Sequence, residues 1–362
     1  MDFFSRKKTD NSNIQKSRIE INDRNTSVQH INVITSCGDK NSILATVLVN
    51  SLSKTHAKYN IVFYLMHNSV SPENLRLISD YCDSLPNVQL QEIYIEDLSV
   101  FNQMRDIGGK PDCERFFWLT AASYLPKTEE RAIYLDAFDT LVLRSIEDFY
   151  FADFEDKSLL VTPEINGYSH LPQLYIEPAQ SFFEKTQDKE TIIRMSYGIF
   201  NSGSVVLNLQ KLRSDSMKLE QYVDVLKWAK NKLKISHAIG DQGLYSLSRG
   251  SDFKICNEIY NYRFFTGSAR MRSDVCIAHF CGHSMKPHKM HFSENQEEVV
   301  IKILYKIEGK HIDIDGYSRL YDHYLPFYRA WWNCCLETPV FNFYHFNAQQ
   351  WTTRKLLDMG WI

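Results

Sequence analysis

The chain has 362 residues, of which 44% are hydrophobic and 23% are charged, and its formal net charge is −3. This length suits one large domain with an appendage, or two domains, and allows a sizeable core. A net charge so close to zero lacks the electrostatic footprint of a nucleic-acid-binding protein, so nucleic acid is not an expected partner.

The cysteines and the N-terminal segment indicate a cellular compartment. The eight cysteines form no CxxC pair in a chain too long to need disulfide staples, which favours reduced thiols. Residues 1–29 are polar and lack apolar periodicity, which predicts a flexible tail with neither a signal peptide nor a membrane anchor. We therefore expect a cytoplasmic protein.

Alternating strand and helix patterns follow the tail and predict an α/β domain. Ser71, Pro72 and Glu73 form a typical helix start, with a capping serine, proline at the first helical position and an acidic first turn. Alternation of this kind implies a mostly parallel sheet with a ligand crevice at its carboxyl edge. The predicted strands are 31–35, 60–65, 88–95 and 132–135, and the predicted helices are 43–52, one that begins at Pro72, and 113–124.

The fourth predicted strand leads into Asp136 and Asp139, two carboxylates with no compensating cation nearby in the sequence. Ligands bind at the carboxyl ends of strands in α/β sheets, and carboxylate oxygens suit Mn²⁺ or Mg²⁺. We therefore predict a divalent metal site here. Two alternatives stay open: a plain turn in which the carboxylates cap backbone amides, and the first motif of a haloacid-dehalogenase-type phosphatase with Asp136 as its nucleophile.

The middle and C-terminal parts of the chain show weaker patterns. A loop is expected over 166–178, in the kind of segment where acceptor recognition often lies. Residues 198–209 are predicted as a loop and a strand, 217–233 as an amphipathic helix and 240–247 as a turn into a helix, so the sheet is expected to continue. Residues 297–305 are predicted to be helical.

The segment around His279 adds chemistry to the carboxylate pair. His279 offers an imidazole ligand, Lys286 a point charge for phosphate oxygens, and Gly282 a place where backbone amides approach an anion closely. With the two aspartates, these residues suggest a metal-bound diphosphate. The alternatives are a structural histidine, and a zinc cluster that His279 forms with neighbouring cysteine and histidines.

The order of these features resembles the retaining nucleotide-sugar glycosyltransferases of family 8, which include bacterial lipopolysaccharide galactosyl- and glucosyltransferases and glycogenin. The resemblance runs over residues 31–288. The family's usual carboxylate pair is Asp-x-Asp; here one further residue separates the two, as in the related domains of lysyl hydroxylases. The matching segments are Ser36 to Asp39, Arg115, Tyr134 to Asp136, Phe200 to Gly203 with Val206 to Leu209, Gly240 to Gln242, and His279 to Gly282 with Lys286 and Pro287.

The resemblance implies a GT-A fold and a role for each matching residue. One group would hold Mn²⁺, with Mg²⁺ as the alternative, a second would bind a UDP-sugar, and a third would lie close to the anomeric carbon. Retention of configuration is also implied. The metal group is Asp136, Asp139 and His279; the donor-binding group is Asp39, Arg115, Asn201, Gly282 and Lys286; and the catalytic group is Asp241 and Gln242.

The sequence thus divides into a flexible tail over 1–29, a GT-A domain over 30–292 and an aromatic-rich helical appendage over 293–362. The appendage is expected to form a helical subdomain with its own small core. Peripheral contact with the inner face of a membrane is the alternative, because bacterial family members often carry aromatic and basic C-terminal segments that seat them near lipid-linked acceptors.

Together these observations predict a metal-dependent transfer of glucose or galactose from a UDP-sugar to a hydroxyl acceptor, in a cell-surface or lipid-linked glycan. Breaking the anomeric bond leaves charge on UDP, which a metal and Lys286 would stabilise. A protein that binds UDP-sugars without turning them over is the remaining alternative.

Overall fold

The structure, a computed structural model, describes residues 29–164, 176–215, 217–263, 272–281, 286–289, 291–292, 299–307, 310–319 and 324–342. Residues 1–28 of the predicted tail, most of the loop predicted over 166–178, and Gly282 lie outside these residues. The strands are β1 (His30–Ser36), β2 (Asn60–His67), β3 (Val88–Tyr94), β4 (Arg131–Leu135), β5 (Thr140–Val142), β6 (Leu159–Pro163), β7 (Phe200–Asn208), β8 (Phe253–Ile255), β9 (Tyr262–Arg263), β10 (Ile277–His279), β11 (His291–Phe292), β12 (Val299–Ile307) and β13 (Lys310–Arg319).

Helices connect most of these strands. Short 3₁₀ segments occur at Asp39–Leu44, Glu114–Thr120, Glu258–Asn261 and Pro287–Lys289. The α-helices are α1 (Ala45–Thr55), α2 (Pro72–Ser84), α3 (Ser99–Gly108), α4 (Ala121–Tyr124), α5 (Glu147–Tyr150), α6 (Ala179–Thr186), α7 (Lys189–Met195), α8 (Leu209–Ser214), α9 (Leu219–Asn231), α10 (Asp241–Arg249) and α11 (Leu325–Cys335).

A seven-stranded sheet in the order β3-β2-β1-β4-β7-β6-β8 forms the centre of the fold. All of its strands run in one direction except β7, which is antiparallel to both of its neighbours. The mostly parallel α/β sheet predicted from the sequence is confirmed. Because β7 is reversed, its first residues reach the same edge of the sheet as the last residues of β4.

Apolar layers cover both faces of this sheet. Successive side chains of a strand point to opposite faces, so Val33 joins the apolar cluster on one side and Ile34 the cluster on the other. Leu48 of α1 is fully buried in the first of these layers, and Phe101 of α3 is almost fully buried in the second. Because both faces are covered, β2 and β4 carry apolar residues at consecutive positions.

The predicted start of α2 is confirmed in detail. The Ser71 hydroxyl accepts a hydrogen bond from the backbone N–H of Asn74 at 3.4 Å, and Pro72 occupies the first turn. Behind it, Ile78 and Cys82 are fully buried on the inner face of the helix. Local sequence signals were sufficient here because the cap and the apolar stripe agree.

The helix predicted over 297–305 is wrong, because Val299–Ile307 is the strand β12, paired in an antiparallel manner with β11 and β13. Its valine and isoleucine content explains the outcome, since β-branched side chains favour a pleated strand over a helix. A domain boundary after residue 292 stays a prediction.

The described part of the C-terminal segment shares a core with the rest of the protein and does not form one of its own. Tyr328 and Trp331 of α11 lie in one apolar cluster with Val47 and Phe280. The Asn50 side-chain amide also donates to the Cys334 carbonyl at 2.9 Å. Among the described residues, no helix is both long and apolar enough to cross a membrane.

Candidate active site

Strand pairing brings an imidazole beside the two predicted carboxylates. The chain leaves β4 at Leu135, turns through Asp136 and Asp139, and returns as β5. Strand β10 pairs with β5 in an antiparallel register that sets His279 opposite Thr140. The Phe280 N–H donates to the Asp139 carbonyl at 2.7 Å and continues this pairing. Residues far apart in the sequence therefore share one corner of the sheet.

The three side chains form a cluster with the chemistry of a divalent metal site. The Nε2 atom of His279 lies 3.7 Å from the nearer carboxylate oxygen of Asp136 and 3.5 Å from that of Asp139. One ligand atom from each residue lies within 4.8 Å of the others, and no second group of this kind occurs among the described residues. Two carboxylates and an imidazole suit Mn²⁺. Although two residues separate the aspartates, one more than in an Asp-x-Asp pair, both side chains belong to the cluster.

The charges of the cluster are unevenly balanced. Burial and the neighbouring Asp139 raise the pKa of Asp136 to about 6. Burial would raise the pKa of Asp139 too, but the Lys286 ammonium, which contacts this carboxylate, and His279 hold it well below its usual range. Two carboxylates this close repel each other, and a bound cation would relieve that repulsion. The cluster therefore fits a divalent ion on electrostatic grounds as well.

Polar contacts fix the ring of His279. Its Nδ1 atom lies 2.8 Å from the Asn261 side-chain oxygen, which leaves Nε2 facing the carboxylates. Asn261 in turn donates to the side-chain oxygen of Asn201 at 2.9 Å. Gly203 allows the ring to lie this close, because a Cβ atom at that position would stand 2.2 Å from His279 Cε1. A glycine in the middle of β7 is thus required by the imidazole.

The first residues of α10 hold the two predicted catalytic side chains. The Trp118 indole N–H donates to the Asp241 carboxylate at 2.8 Å. The Gln242 side-chain oxygen accepts from the Ser202 N–H at 3.0 Å, and its amide nitrogen donates to the Tyr197 carbonyl at 2.9 Å. Both residues are therefore fixed by groups from other elements, as a preorganised site requires.

Glu164 and Arg263 were not predicted from the sequence, yet they lie beneath the site. Glu164 follows β6 and forms an ion pair with Arg263, whose side chain is only 1% exposed. The Glu164 carboxylate also lies 3.4 Å from the Gln242 amide nitrogen and 3.5 Å from that of Asn201. Glu164 could have been predicted in the same way as Asp136, because it is an acid directly after an apolar strand. Arg263 could not, because β9 is too short to give a sequence signal.

Asp39 and Arg115 are each held by neighbouring polar groups. Asp39 accepts hydrogen bonds from the Ser71 N–H at 2.7 Å and the Asn74 amide at 2.8 Å, and the bond from Ser71 contributes most to lowering its pKa. Arg115 forms a bidentate pair with Asp112 at 2.7 and 2.8 Å. Burial alone would lower the pKa of Arg115, but Asp112 and the acids of the site raise it.

These groups surround one cleft of about 670 Å³. Of the ten predicted site residues, Gly282 lies outside the described residues and the other nine line the cleft. Their roles as metal ligands, donor contacts and catalytic groups stay predictions. The nine are Asp39, Arg115, Asp136, Asp139, Asn201, Asp241, Gln242, His279 and Lys286.

Comparisons with known proteins agree with this architecture. A family model described as glycosyl transferase family 8 matches residues 32–290. No curated protein sequence matches the chain. Two solved structures of the galactosyltransferase LgtC are similar to this chain, each at 18% identity over 74% of it. The complex with donor and acceptor sugar analogues has a TM-score of 0.52, and the match covers 92% of its chain. An active-site glutamine-to-glutamate variant has a TM-score of 0.51, and the match covers 91% of its chain.

A third solved structure has the same fold. The glycosyltransferase GlyE from Streptococcus pneumoniae TIGR4 has a TM-score of 0.50 at 14% identity, and the match covers 72% of this chain and 56% of GlyE. At such low identities these likenesses are evidence for the fold alone. The predicted GT-A-like architecture is thereby confirmed.

Proposed function

Because the chain belongs to glycosyltransferase family 8, we propose that it transfers a hexose, glucose or galactose, from a UDP-sugar to a hydroxyl group of a glycan acceptor in a Mn²⁺-dependent reaction. The observation that carries this proposal is the cluster of Asp136, Asp139 and His279 in the cleft. Its ligand set fits a divalent ion, and a nucleoside diphosphate is the kind of ligand such an ion bridges. Glucose or galactose is proposed as the transferred hexose because the resemblance is to a family that includes galactosyl- and glucosyltransferases.

The protein's own groups suit this reaction. A bound Mn²⁺ would act as a Lewis acid that stabilises charge on the departing diphosphate. Lys286, whose ammonium group contacts Asp139, would pair with a phosphate oxygen. Asp241 and Gln242 would bind and orient the hexose, since both side chains line the cleft and are held from behind. Asp39 would contact the nucleoside, and Arg115 would contact the sugar.

Further features extend the proposal. Family membership favours retention of configuration and supports a cell-surface or lipid-linked glycan as the acceptor. A cytoplasmic protein would meet such an acceptor at the inner face of a membrane, and the aromatic C-terminal segment would be its contact there.

The proposal is tested by incubating the purified protein with a panel of nucleotide-sugars, without acceptor, in Mn²⁺, Mg²⁺ or chelator. We expect slow release of UDP from a UDP-hexose, with the metal present and not with the chelator. The Asp136→Asn variant should lose this release. Asp83→Asn, which changes an exposed carboxylate of α2 outside the cleft, is the matched control and should keep it.

Two other results would point elsewhere. A dehalogenase-type phosphatase would release inorganic phosphate and would survive His279→Ala, whereas the transferase should be crippled by that change. A protein that binds but does not catalyse would show a thermal shift with UDP and Mn²⁺ and no turnover. Absence of both a shift and turnover would contradict the nucleotide-sugar assignment.

A further inference from the structure

One aromatic side chain at the cleft has no part in the chemistry described above. Tyr197 is 51% exposed. Of the large hydrophobic side chains left exposed in the described residues, it is the one that lines the cleft. Its ring lies parallel to that of His237, with ring centroids 3.8 Å apart and planes 5° apart. His237 therefore covers one face of the tyrosine, and the exposed area belongs to the other face and the edge.

The stacked pair is held firmly. The His237 Nε2 atom lies 2.8 Å from the Ser196 hydroxyl, and the Lys230 ammonium donates to the His237 carbonyl at 2.6 Å. The Tyr197 carbonyl accepts the hydrogen bond from Gln242 at 2.9 Å. A large ring that stays exposed and yet is fixed in this way loses little conformational entropy when a ligand stacks on it.

The turn that carries Tyr197 is also packed tightly against α10. Gly198 has φ = +103°, and a Cβ atom there would stand 2.7 Å from the Gln242 side chain. A Cβ atom on Gly243 would stand 2.1 Å from the Ser196 carbonyl oxygen. The two glycines allow the turn and the helix to touch, so Tyr197 keeps a fixed position relative to Gln242.

From this geometry we propose that Tyr197, backed by His237, is the platform on which a sugar ring of the acceptor stacks, and that the acceptor is a hexose-containing glycan. This inference rests on the proposed transferase function. One face of a pyranose ring carries C–H groups and packs against aromatic rings, while the hydroxyl groups at its edge stay free to react. Gln242, which also lines the cleft, is fixed beside the tyrosine by the hydrogen bond to the Tyr197 carbonyl.

The first test compares transfer with hydrolysis of the donor. Lactose, maltose and cellobiose serve as acceptor probes with the UDP-hexose that the protein hydrolyses. We expect Tyr197→Leu to lower the ratio of transfer to hydrolysis about tenfold, which corresponds to about 1.4 kcal/mol of lost stabilisation. Tyr197→Phe keeps the ring and should keep the ratio. Tyr94→Leu, which removes an exposed tyrosine from β3 outside the cleft, is the matched control.

The second test needs no turnover. Saturation-transfer NMR with the same three disaccharides should show contact between sugar C–H groups and the wild-type protein, and Tyr197→Leu should abolish it. Equal losses of transfer and hydrolysis in Tyr197→Leu would mean a structural role and would overturn the platform, as would absence of sugar contact in the wild type. Sugar contact that depends on Tyr197 in a protein that hydrolyses no donor would instead overturn the transferase and keep the platform.

Discussion

The two parts of the central sheet are built in different ways. In residues 29–135, β1 pairs with β2 and β2 with β3, so the paired strands are neighbours in the sequence, and helices cover them. In residues 136–289, the candidate metal site and its supporting residues come from segments far apart, and polar side chains connect them. Apolar burial stabilises both parts, and the second part in addition buries charges and amides beside the cleft. Stability and function should therefore respond to different substitutions.

The largest expected effect is on catalysis. Asp136→Asn removes one proposed metal ligand and should lower metal-dependent UDP release about a thousandfold, a loss typical of removing a group that stabilises transition-state charge. Because the change also relieves repulsion with Asp139, the midpoint of thermal unfolding without metal should stay the same or rise. Activity assays and metal-free thermal unfolding measure both quantities. If UDP release and the unfolding midpoint both fell, stability and function would depend on the same residues, and the contrast between the two parts would be wrong.

The reverse case is a core change in the first part. Leu48→Ala removes a fully buried side chain of α1 and should lower the free energy of unfolding by about 3 kcal/mol. Leu77→Ala, on α2 with 37% exposure, is the matched control and should cost less than about 0.5 kcal/mol. Urea unfolding gives both values. Turnover per folded molecule should be unaffected in both variants; a loss in Leu48→Ala would show that the core tunes the cleft.

A smaller effect is expected where a residue acts through a metal ligand. Asn261→Ala removes the partner of His279 Nδ1 and should weaken Mn²⁺ activation about 10- to 100-fold, as is typical for residues that orient metal ligands. The measurement is a Mn²⁺ titration of UDP release. Asn231→Ala, at an exposed position at the end of α9, is the control. If excess Mn²⁺ fails to restore activity, Asn261 shapes more than the metal site.

The smallest effect concerns the contact between the two parts. His56, at the end of α1, accepts the Ile146 N–H at 3.0 Å, and burial lowers its pKa below the ordinary 6.5. The folded protein therefore binds this proton less readily than the unfolded chain. The contribution of the neutral His56 side chain to the free energy of unfolding is complete above pH 6.5. It is lost as the pH falls through the lower pKa that His56 has in the folded protein. Thermal unfolding from pH 7 to 5 should show a shallower decline in His56→Gln than in the wild type, and equal slopes would exclude His56.

The contrast between the two parts also explains what the sequence could predict. Strands β1 to β4 and the start of α2 carry strong local signals, and the structure confirms them. Helix α3 and strand β6 were not predicted, because their sequence patterns are short and mixed. Over 299–307 apolar residues fit a helical spacing and a strand equally well, and strand pairing with distant residues decided the outcome.

The same limit applies to the cleft. Asp136, Asp139 and His279 could be chosen because carboxylates and an imidazole near strand ends carry recognisable chemistry. Asn261 and Arg263 could not, because their importance lies in what they touch: one orients an imidazole and the other neutralises Glu164. Such roles depend on contacts between distant segments, which a single sequence does not display.

The antiparallel pairing of β5 with β10 also orders events while the protein is being made. Strands β1 to β4 leave the ribosome early and can pair at once, and both aspartates emerge with them. His279 emerges much later, so the nascent chain first offers carboxylates alone, a weaker site for a transition metal. The complete ligand set arises only when β10 docks. The pairing of β10 with β5 is thus the step that completes the candidate metal site.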